Sequence, residues 1–358
     1  MNTPLLAAGL FIFVWYCMYD YEVFTYFYKI IYFAIQFFMH TILTTQNLKK
    51  RFPVKNGFHE AVRGVDLQVF EGEIFGFLGP NGAGKTTTLR MLTTLLPIDE
   101  GEAHVAGYNV KTQPQEVRKR IGYVSQQGGA DRNATGRENL ILQGRLYGMS
   151  KAETIQAANH LIDILSLGEC IDRFVTTYSG GQQRRLDVAL GMIHKPKVLF
   201  LDEPTTGLDP QNRVNLWNQI KLLKQEGIAI FLTSHYLDEV DFLADRLAIM
   251  DQGKIVEVGS PRDLKRQISG DIINIGVQQD EYERTLQILR NQAFIKEIVQ
   301  DTDYLRLYVE QGDSALVQIL RLLDTEKITL TSISLSIPTL DDVFLKKTGH
   351  ALREEMII

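Results

Sequence analysis

Cysteine is scarce in this chain. Two cysteines, Cys17 and Cys170, occur in 358 residues. Their separation fits neither a disulfide framework nor a metal-ligand motif, and we interpret both as small hydrophobic side chains of the kind usually found buried. The scarcity excludes the small disulfide-stabilised secreted domains and favours a reducing, cytosolic setting.

An excess of positive charge is also missing. The chain carries 38 Lys and Arg against 43 Asp and Glu, for a formal net charge of −5. A basic surplus is the usual electrostatic signature of proteins that bind nucleic acid, so no nucleic-acid partner is predicted. With 45% hydrophobic and 23% charged residues, the composition is that of a globular protein long enough for two or three domains.

Long hydrophobic runs are confined to the N-terminus. Leu5–Tyr19 contains no charged residue, and only Lys29 and His40 interrupt the apolar run Val23–Leu43. Each run approaches the roughly 20 residues that a membrane helix needs, and the features of a secretory signal peptide are missing. The basic cluster at 49–51 predicts that the chain after it lies on the cytoplasmic side.

Three interpretations of this apolar extension, residues 1–42, stay open at this point. It forms transmembrane helices that anchor the chain, or helices that lie in the membrane interface. Alternatively the chain starts at Met39, since HTILTTQNLKKRF is a sensible beginning for a globular domain, and the residues upstream result from a wrongly assigned start.

The rest of the chain divides into two units by its hydrophobic pattern. Residues 43–265 predict an α/β domain with a helical part at about 127–180, a helix over KTTTLRMLTTLL that ends at Pro97, and buried parallel strands at VLFLDEP and IAIFLTSH. Residues 271–350 predict strand, helix, strand, strand, helix, strand and a last helix over PTLDDVFLKKTG. That order is ferredoxin-like, so we expect a small appended α+β domain.

The stretch GPNGAGKTT, Gly79–Thr87, fits the phosphate-binding motif G-x-x-x-x-G-K-[ST]. It follows the strand-like IFGFL and opens a helix, which is the context that the motif requires. Its glycines let backbone N–H groups face the β-phosphate, Lys85 reaches the β and γ oxygens, and the Thr86 hydroxyl ligates Mg²⁺. The predicted nucleotide-binding residues here are Asn81, Gly82, Ala83, Gly84, Lys85, Thr86 and Thr87.

The stretch VLFLDEP, Val198–Pro204, supplies two carboxylates at the end of a buried strand. Asp202 is placed to hold Mg²⁺, and Glu203 to polarise an attacking water molecule. An isolated Asp-Glu pair is usually a solvated turn, but the apolar strand before it and the phosphate-binding motif upstream favour a catalytic role.

Five motifs together resemble the ATP-binding cassette (ABC) ATPases. GPNGAGKTT, YSGGQ, FLDEP, GLDP and the histidine of TSH occur in the order and spacing of that family over Leu43–Pro261. The resemblance implies a P-loop NTPase with a RecA-like core, a helical subdomain and ATP hydrolysis with Mg²⁺. Within YSGGQ, Tyr178 replaces the usual leucine.

The resemblance also implies a partner for the YSGGQ motif. In this family two cassettes pack head to tail, and the signature motif of one closes over the γ-phosphate held by the other. Ser179, Gly180, Gly181 and Gln182 would therefore contact the ATP of a second cassette, either an identical chain or a paralogue. Capping of a helix by Ser179 is compatible with that role.

Other functional residues follow only from the resemblance. Gln126 would contact Mg²⁺ and sense the γ-phosphate, with Gln127 as the alternative, and Asp209 would couple the two sites across the dimer. His235 would hold the γ-phosphate and the attacking water. Phe52 would stack on adenine, although Phe58 lies close by and competes for that assignment.

The segments TGRENLILQGRLYGMS and PTLDDVFLKKTGH resemble the drug and antibiotic exporter branch of the daunorubicin-resistance type. The branch implies a separate integral membrane permease and a position at the cytoplasmic face of the cell membrane. An ABC ATPase without a transporter and a nucleotide-gated regulator are the alternatives. No pattern in the sequence indicates the cargo.

Overall fold

The computed structural model describes residues 40–55, 57–268, 271–278, 280–300, 304–336 and 338–349. Residues 1–39 are not among them. The three interpretations of the apolar extension, residues 1–42, therefore fall outside the described residues up to position 39. In the part of the chain that is described, no helix is long and apolar enough to cross a membrane.

Fourteen strands occur in the described residues. They are β1 (Thr41–Val54), β2 (Gly57–Phe70), β3 (Ile74–Leu78), β4 (Glu100–Val105), β5 (Tyr108–Asn109), β6 (Ile121–Val124), β7 (Val198–Asp202), β8 (Ala229–Ser234), β9 (Arg246–Asp251), β10 (Lys254–Gly259), β11 (Asp271–Val277), β12 (Ile295–Gln300), β13 (Leu305–Val309) and β14 (Leu330–Ser336). They form three sheets.

Eleven α-helices accompany them in the same described ranges. They are α1 (Lys85–Leu92), α2 (Pro114–Arg118), α3 (Gly136–Leu146), α4 (Lys151–Ile164), α5 (Gly180–Met192), α6 (Pro210–Gln225), α7 (Leu237–Leu243), α8 (Pro261–Arg266), α9 (Tyr282–Arg290), α10 (Gly312–Thr325) and α11 (Leu340–Thr348).

The central sheet has six strands in the order β10-β9-β3-β8-β7-β6. All neighbours are parallel except β10, which pairs antiparallel with β9 at one edge. Every residue of β3, β7 and β8 is buried, as expected for parallel strands covered on both faces. The predicted parallel strands at VLFLD and AIFLTS are confirmed as β7 and β8, which pair directly.

The two faces of the central sheet bury different sets of side chains. Phe75, Phe77, Phe200 and Phe231 point to one side, where α1 and the antiparallel sheet β2-β1-β4-β5 cover them. Leu199, Leu201, Ile230 and Leu232 point to the other side and pack on α4, α5 and α6. This alternation along the strands creates a three-layer arrangement.

Helix α1 is shorter than predicted, because it ends at Leu92 and not at Pro97. The Thr93 hydroxyl donates to the Leu89 carbonyl oxygen at 2.9 Å, and Thr94 takes a left-handed conformation with φ of 65°. A residue with that backbone conformation cannot continue an α-helix, so the apolar pattern beyond Leu92 belongs to the turn that follows.

The C-terminal residues form the predicted ferredoxin-like arrangement. The elements β11, α9, β12, β13, α10 and β14 follow in the expected order, and the sheet order β12-β13-β11-β14 has only antiparallel neighbours. One face of the sheet carries α9 and α10 around a separate hydrophobic core.

The last helix, α11, joins this small sheet to the rest of the molecule. Phe344 is fully buried in the same hydrophobic cluster as Tyr308 of β13 and Leu201 of β7. The buried guanidinium of Arg306 on β13 pairs with the Asp342 carboxylate of α11. Since apolar and ionic contacts meet on this helix, the small domain packs against the central α/β part through α11.

Candidate functional site

Three chain segments meet at the carboxyl edge of the central sheet. The phosphate-binding loop follows β3, the Asp202-Glu203 pair ends β7, and His235 follows β8. Leu78 lies opposite Ser234, and Asp202 lies opposite Thr233. Because the strands are parallel and in this register, their C-terminal residues come together where open α/β sheets bind ligands.

The phosphate-binding loop depends on glycine at two positions. Gly82 and Gly84 have φ of 77° and 105°, a region that side chains other than glycine rarely adopt. A Cβ atom on Gly84 would lie 2.4 Å from the carbonyl oxygen of Ala61 on β2. The loop therefore passes close to another backbone and then opens α1, whose N-terminus is suited to binding an anion.

The Lys85 side chain lies back along its own loop. Its Nζ atom donates to the carbonyl oxygens of Gly79 at 2.6 Å and Pro80 at 2.9 Å, and it is 3.9 Å from Oε1 of Glu203. Burial lowers the pKa of Lys85, while Glu203 and Asp202 act in the opposite direction. The loop thus holds a buried ammonium group beside the place where phosphate oxygens would bind.

Asp202 has two hydroxyl donors. Thr86 Oγ1 donates to Asp202 Oδ1 at 3.1 Å, and Thr233 Oγ1 donates to the same oxygen at 2.7 Å. A threonine hydroxyl beside a buried carboxylate is the hard oxygen ligand set that Mg²⁺ prefers. The pairing of Thr86 with Asp202 fits the predicted metal site, and the contribution of Thr233 was not predicted.

Glu203 is held in a strained backbone conformation. Its φ is 47°, in the left-handed region where a residue with a side chain costs about 1–2 kcal/mol. Its N–H group donates to Thr233, to the carbonyl oxygen at 3.2 Å and to the hydroxyl at 3.1 Å. Backbone strain of this kind often accompanies function.

The Glu203 carboxylate is surrounded by donors. Nδ1 of His235 is 3.3 Å from its Oε2 atom, Nε2 of Gln126 is at 3.2 Å, and the Thr206 hydroxyl is also at 3.2 Å. The contact with His235 is the main cause that lowers the pKa of Glu203, although burial acts against it. An ionised carboxylate in this position can accept a proton from a water molecule.

A cleft of about 270 Å³ runs from these residues along the phosphate-binding loop. Its walls are formed by Phe52, His59, Ala61, Asn81, Gly82, Gly84, Lys85, Thr86, Thr87 and Glu203. Phe52 and His59 are cross-strand neighbours in the β1-β2 hairpin, which sets both at the edge of the cleft. Ala83 instead packs into the hydrophobic core below the loop. Phe58 is 71% exposed and is not among the wall residues.

The residues of the YSGGQ motif lie elsewhere, at the start of α5. Ser179 caps this helix, and the Ser179 N–H group donates to Oε1 of Gln182 at 3.0 Å in return. A Cβ atom on Gly181 would lie 2.5 Å from Oδ1 of Asn212 on α6, whereas one on Gly180 would meet no atom closer than 3.9 Å. The second glycine therefore has a packing reason of its own.

Asp209 caps the neighbouring helix α6, and its carboxylate accepts from the Asn212 amide N–H at 3.0 Å and from Nδ2 of Asn212 at 2.6 Å. The structure thus brings the signature motif and the Asp209 segment together through Asn212. Within the described residues, none of the walls of the nucleotide cleft comes from either segment. The roles assigned to Ser179, Gly180, Gly181, Gln182 and Asp209 stay predictions.

Tyr178, the departure from the usual leucine, has a structural role. Its hydroxyl donates to the Cys170 carbonyl oxygen at 2.7 Å, and burial raises the pKa of the phenol. The contact joins the signature motif to the end of the helical part and leaves Ser179 free to cap α5.

Several residues of the site were missed in the sequence. His59 has no local motif, and only the register of the β1-β2 hairpin places it beside Phe52. Thr233 belongs to an apolar strand and is recognisable only through its pairing with Asp202. Arg184 gives no signal in the sequence, because it stands between Gln183 and Arg185, and its burial in α5 is evident only in the structure.

Three family models match this chain: an AAA domain model covers residues 175–241, and two others cover longer segments. One, described as ABC transporter, matches residues 62–206, which include the phosphate-binding loop, the signature motif and Asp202. The other, described as the C-terminal domain of ATP-binding proteins like DrrA1-3, matches residues 259–348, which include the ferredoxin-like sheet and α11.

The chain is also similar over most of its length to curated proteins. It is 41% identical over 295 residues, 81% of this chain and 88% of the other, to the daunorubicin/doxorubicin resistance ATP-binding protein DrrA of Streptomyces peucetius. It is 33% identical over 315 residues, 87% of this chain and the whole of the other, to the linearmycin resistance ATP-binding protein LnrL of Bacillus subtilis.

Solved structures agree with these matches. The structure described as the ATP-binding subunit of an ABC transporter covers 63% of this chain with 26% identity and a TM-score of 0.57. The dimeric cassette MJ0796 bound to ADP and Pi shows the same fold, with 24% identity, coverage of 61% of this chain and a TM-score of 0.56. On its sequence, fold and site, the chain belongs to the ABC transporter family and is an ATP-binding cassette ATPase.

Proposed function

We propose that this chain is the ATP-hydrolysing subunit of an exporter for drugs or antibiotics. It works with a second cassette and with a separate integral membrane permease at the cytoplasmic face of the cell membrane. One observation carries the proposal: Gln126, Glu203 and His235 converge beside Lys85 and the Thr86–Asp202 pair, whereas none of the described residues of the signature motif lines that cleft.

The residues at this edge of the sheet divide the steps of hydrolysis among them. The phosphate-binding loop and Lys85 bind the β and γ phosphates, and Phe52 stacks on adenine. Thr86, Gln126 and Asp202 would hold Mg²⁺, which neutralises charge on the transferred phosphoryl group. Glu203 accepts a proton from the attacking water, and His235 orients that water and the γ-phosphate.

The second cassette completes the site. Ser179, Gly180 and Gly181 open α5, and the N-terminus of a helix presents free N–H groups to an anion. In a head-to-tail pair these groups would contact the γ-phosphate bound by the other chain. ATP would then hold the two cassettes together, and hydrolysis would release them.

The domain boundaries that fit this function are residues 43–265 for the ATPase and 271–350 for the accessory domain. The helical part, at about residues 127–180, lies within the ATPase domain. The proposed ATPase domain ends at the second-last residue of α8, and the accessory domain begins with the first residue of β11.

The class of cargo rests on the relatives. Proteins named for resistance to daunorubicin, doxorubicin and linearmycin share 33–41% of their residues with this chain over most of its length. The cleft binds nucleotide, so selection of the cargo belongs to the permease.

The experiment is a purification of tagged Glu203→Gln protein from detergent-solubilised membranes of its host with ATP and Mg²⁺, with the wild type and ADP as controls. We expect one multi-span membrane protein in stoichiometric amount, and we expect that deletion of its gene sensitises cells to drugs of the anthracycline type. A soluble partner alone, or unchanged sensitivity, would contradict the exporter function.

A further inference from the structure

Arg184 on α5 extends its side chain into the interior behind the catalytic edge. Its Nε atom donates to the Pro204 carbonyl oxygen at 2.6 Å, and Nη2 donates to the carbonyl oxygens of Asp202 at 3.0 Å and Glu203 at 3.2 Å. Its Nη1 atom donates to the Ser125 carbonyl oxygen at 2.6 Å. The residue is 7% exposed.

Four carbonyl oxygens from two separate segments thus meet on one guanidinium. Three belong to the turn that carries Glu203, and the fourth belongs to the residue before Gln126. Arginine alone offers five N–H donors in a planar fork. A lysine at this position has a single nitrogen and cannot reach both segments with the same geometry.

The turn held by Arg184 needs such support. Glu203 has φ of 47°, and Arg184 binds its carbonyl oxygen together with those of the residues on either side. Bonds to three successive carbonyls fix the direction of the peptides that flank Glu203. The position of the carboxylate therefore depends on the position of Arg184.

Arg184 belongs to the same helix as the signature motif. It lies within α5, the helix that begins after Ser179, so a shift of this helix along its axis would move the guanidinium. The first turn of α5 thus lies in the motif proposed to contact the ATP of the second cassette. Its second turn contacts the segment of Glu203, the proposed base for this chain's own ATP.

We propose that Arg184 is a positioning residue that transmits the position of the signature helix α5 to Glu203 and to the Gln126 segment. The inference rests on the proposed function, because it assigns Ser179 to the ATP of the second cassette. Closure of Ser179 on that ATP would set Glu203 in the same chain, so that the two hydrolytic sites work cooperatively.

Arg185 provides a matched control on the same helix. Its side chain donates to the carbonyl oxygens of Gly181 at 3.3 Å, Leu165 at 3.3 Å and Ser166 at 3.0 Å. Those carbonyls lie in the signature helix and in the helical part. The same Arg-to-Lys change at Arg185 alters the same helix without touching the turn that carries Glu203.

The experiment measures ATP hydrolysis by full-length Arg184→Lys and Arg185→Lys over a range of ATP concentrations, with binding of a non-hydrolysed ATP analogue measured separately. For Arg184→Lys we expect kcat to fall by about 10- to 100-fold, as for a misplaced catalytic group. We expect the affinity for the analogue to stay close to that of the wild type and the Hill coefficient to fall towards one. Arg185→Lys should keep the kinetics of the wild type.

A second variant separates positioning from stability. Arg184→Ala leaves a cavity of the shape of the guanidinium, and added guanidinium ion well below denaturing concentrations should restore part of kcat. Wild-type kcat and Hill coefficient in Arg184→Lys would overturn the inference. A loss of kcat that follows a loss of thermal stability and shows no rescue would overturn it as well.

Failure of this inference differs from failure of the proposed function. Ser179→Arg tests the shared site directly, and full turnover in that variant would remove the composite site itself. Loss of turnover in Ser179→Arg together with unchanged kinetics in Arg184→Lys would remove only the role of Arg184.

Discussion

Nδ1 of His235 lies 3.3 Å from Oε2 of Glu203, and the two residues follow neighbouring parallel strands of the central sheet. This contact is the main reason that the pKa of the Glu203 carboxyl lies below its usual value, while burial acts to raise it. The histidine therefore helps to keep the proposed base ionised.

We predict that His235→Gln shifts the acid limb of the pH profile. Without the imidazole, burial dominates and the pKa of Glu203 rises, so residual hydrolysis should be lost at a higher pH as the solution is acidified. The measurement is kcat against pH for the wild type and the variant. His160→Gln, which changes an exposed histidine paired with Glu226, is the control, and an unshifted acid limb in His235→Gln would contradict the assignment.

Glu203→Gln should bind ATP and lose turnover. The amide keeps the size of the side chain but cannot accept a proton from water, so we expect kcat to fall by about 100-fold or more, with little change in ATP affinity. Phosphate release and equilibrium binding measure the two effects. Glu102→Gln on the exposed face of β4 should behave as the wild type. Near wild-type turnover in Glu203→Gln would remove Glu203 from the role of base.

Alanine substitutions at the two glycines of the signature motif should differ in their effect on the stability of the protein. Gly181→Ala places a methyl group 2.5 Å from Oδ1 of Asn212, and we expect a loss of about 1–3 kcal/mol in the free energy of unfolding. Gly180→Ala meets no atom closer than 3.9 Å and should be neutral. Asn212→Gly should relieve the clash in the double variant. Equal stabilities of the two alanine variants would show that Asn212 moves aside freely.

The buried ion pair of the small domain should contribute more to the free energy of unfolding than the ion pair on its surface. Asp342→Ala removes the hydrogen-bonded carboxylate partner of the Arg306 guanidinium, which is 7% exposed and keeps the more distant Asp341 carboxylate of α11 at 3.8 Å, and we expect a cost of about 3 kcal/mol. Lys346→Ala removes a partly exposed pair with Glu297 and should cost at most about 1 kcal/mol. Urea unfolding measures both, and similar losses would contradict this ranking.

Local patterns were enough to predict part of the site. The phosphate-binding loop and the Asp202-Glu203 pair each follow a buried strand, and the spacing of apolar residues, glycines and carboxylates shows it. The order of elements in the C-terminal domain was equally legible. In these cases the signal for each single element or motif lies within some ten consecutive residues.

The missed features depend on contacts between distant segments. Arg184 reaches Ser125 across 59 positions of sequence, and Thr233 reaches Asp202 across 31. His59 faces the cleft because of a hairpin register that contains several irregularities. Helix α1 ended early for a local reason, the conformation of Thr94, which the apolar pattern of LTTLL conceals.

The shared hydrophobic cluster has a consequence for how such proteins are shortened or recombined. Leu340, Val343 and Phe344 of α11 belong to the same cluster as Leu201 in the central sheet and Leu264 of α8. A chain truncated after α8 would expose this hydrophobic surface and should aggregate. Chimaeras of related proteins should therefore fold when the ATPase domain and the C-terminal domain come from the same parent, and fail when only one of the two domains is exchanged.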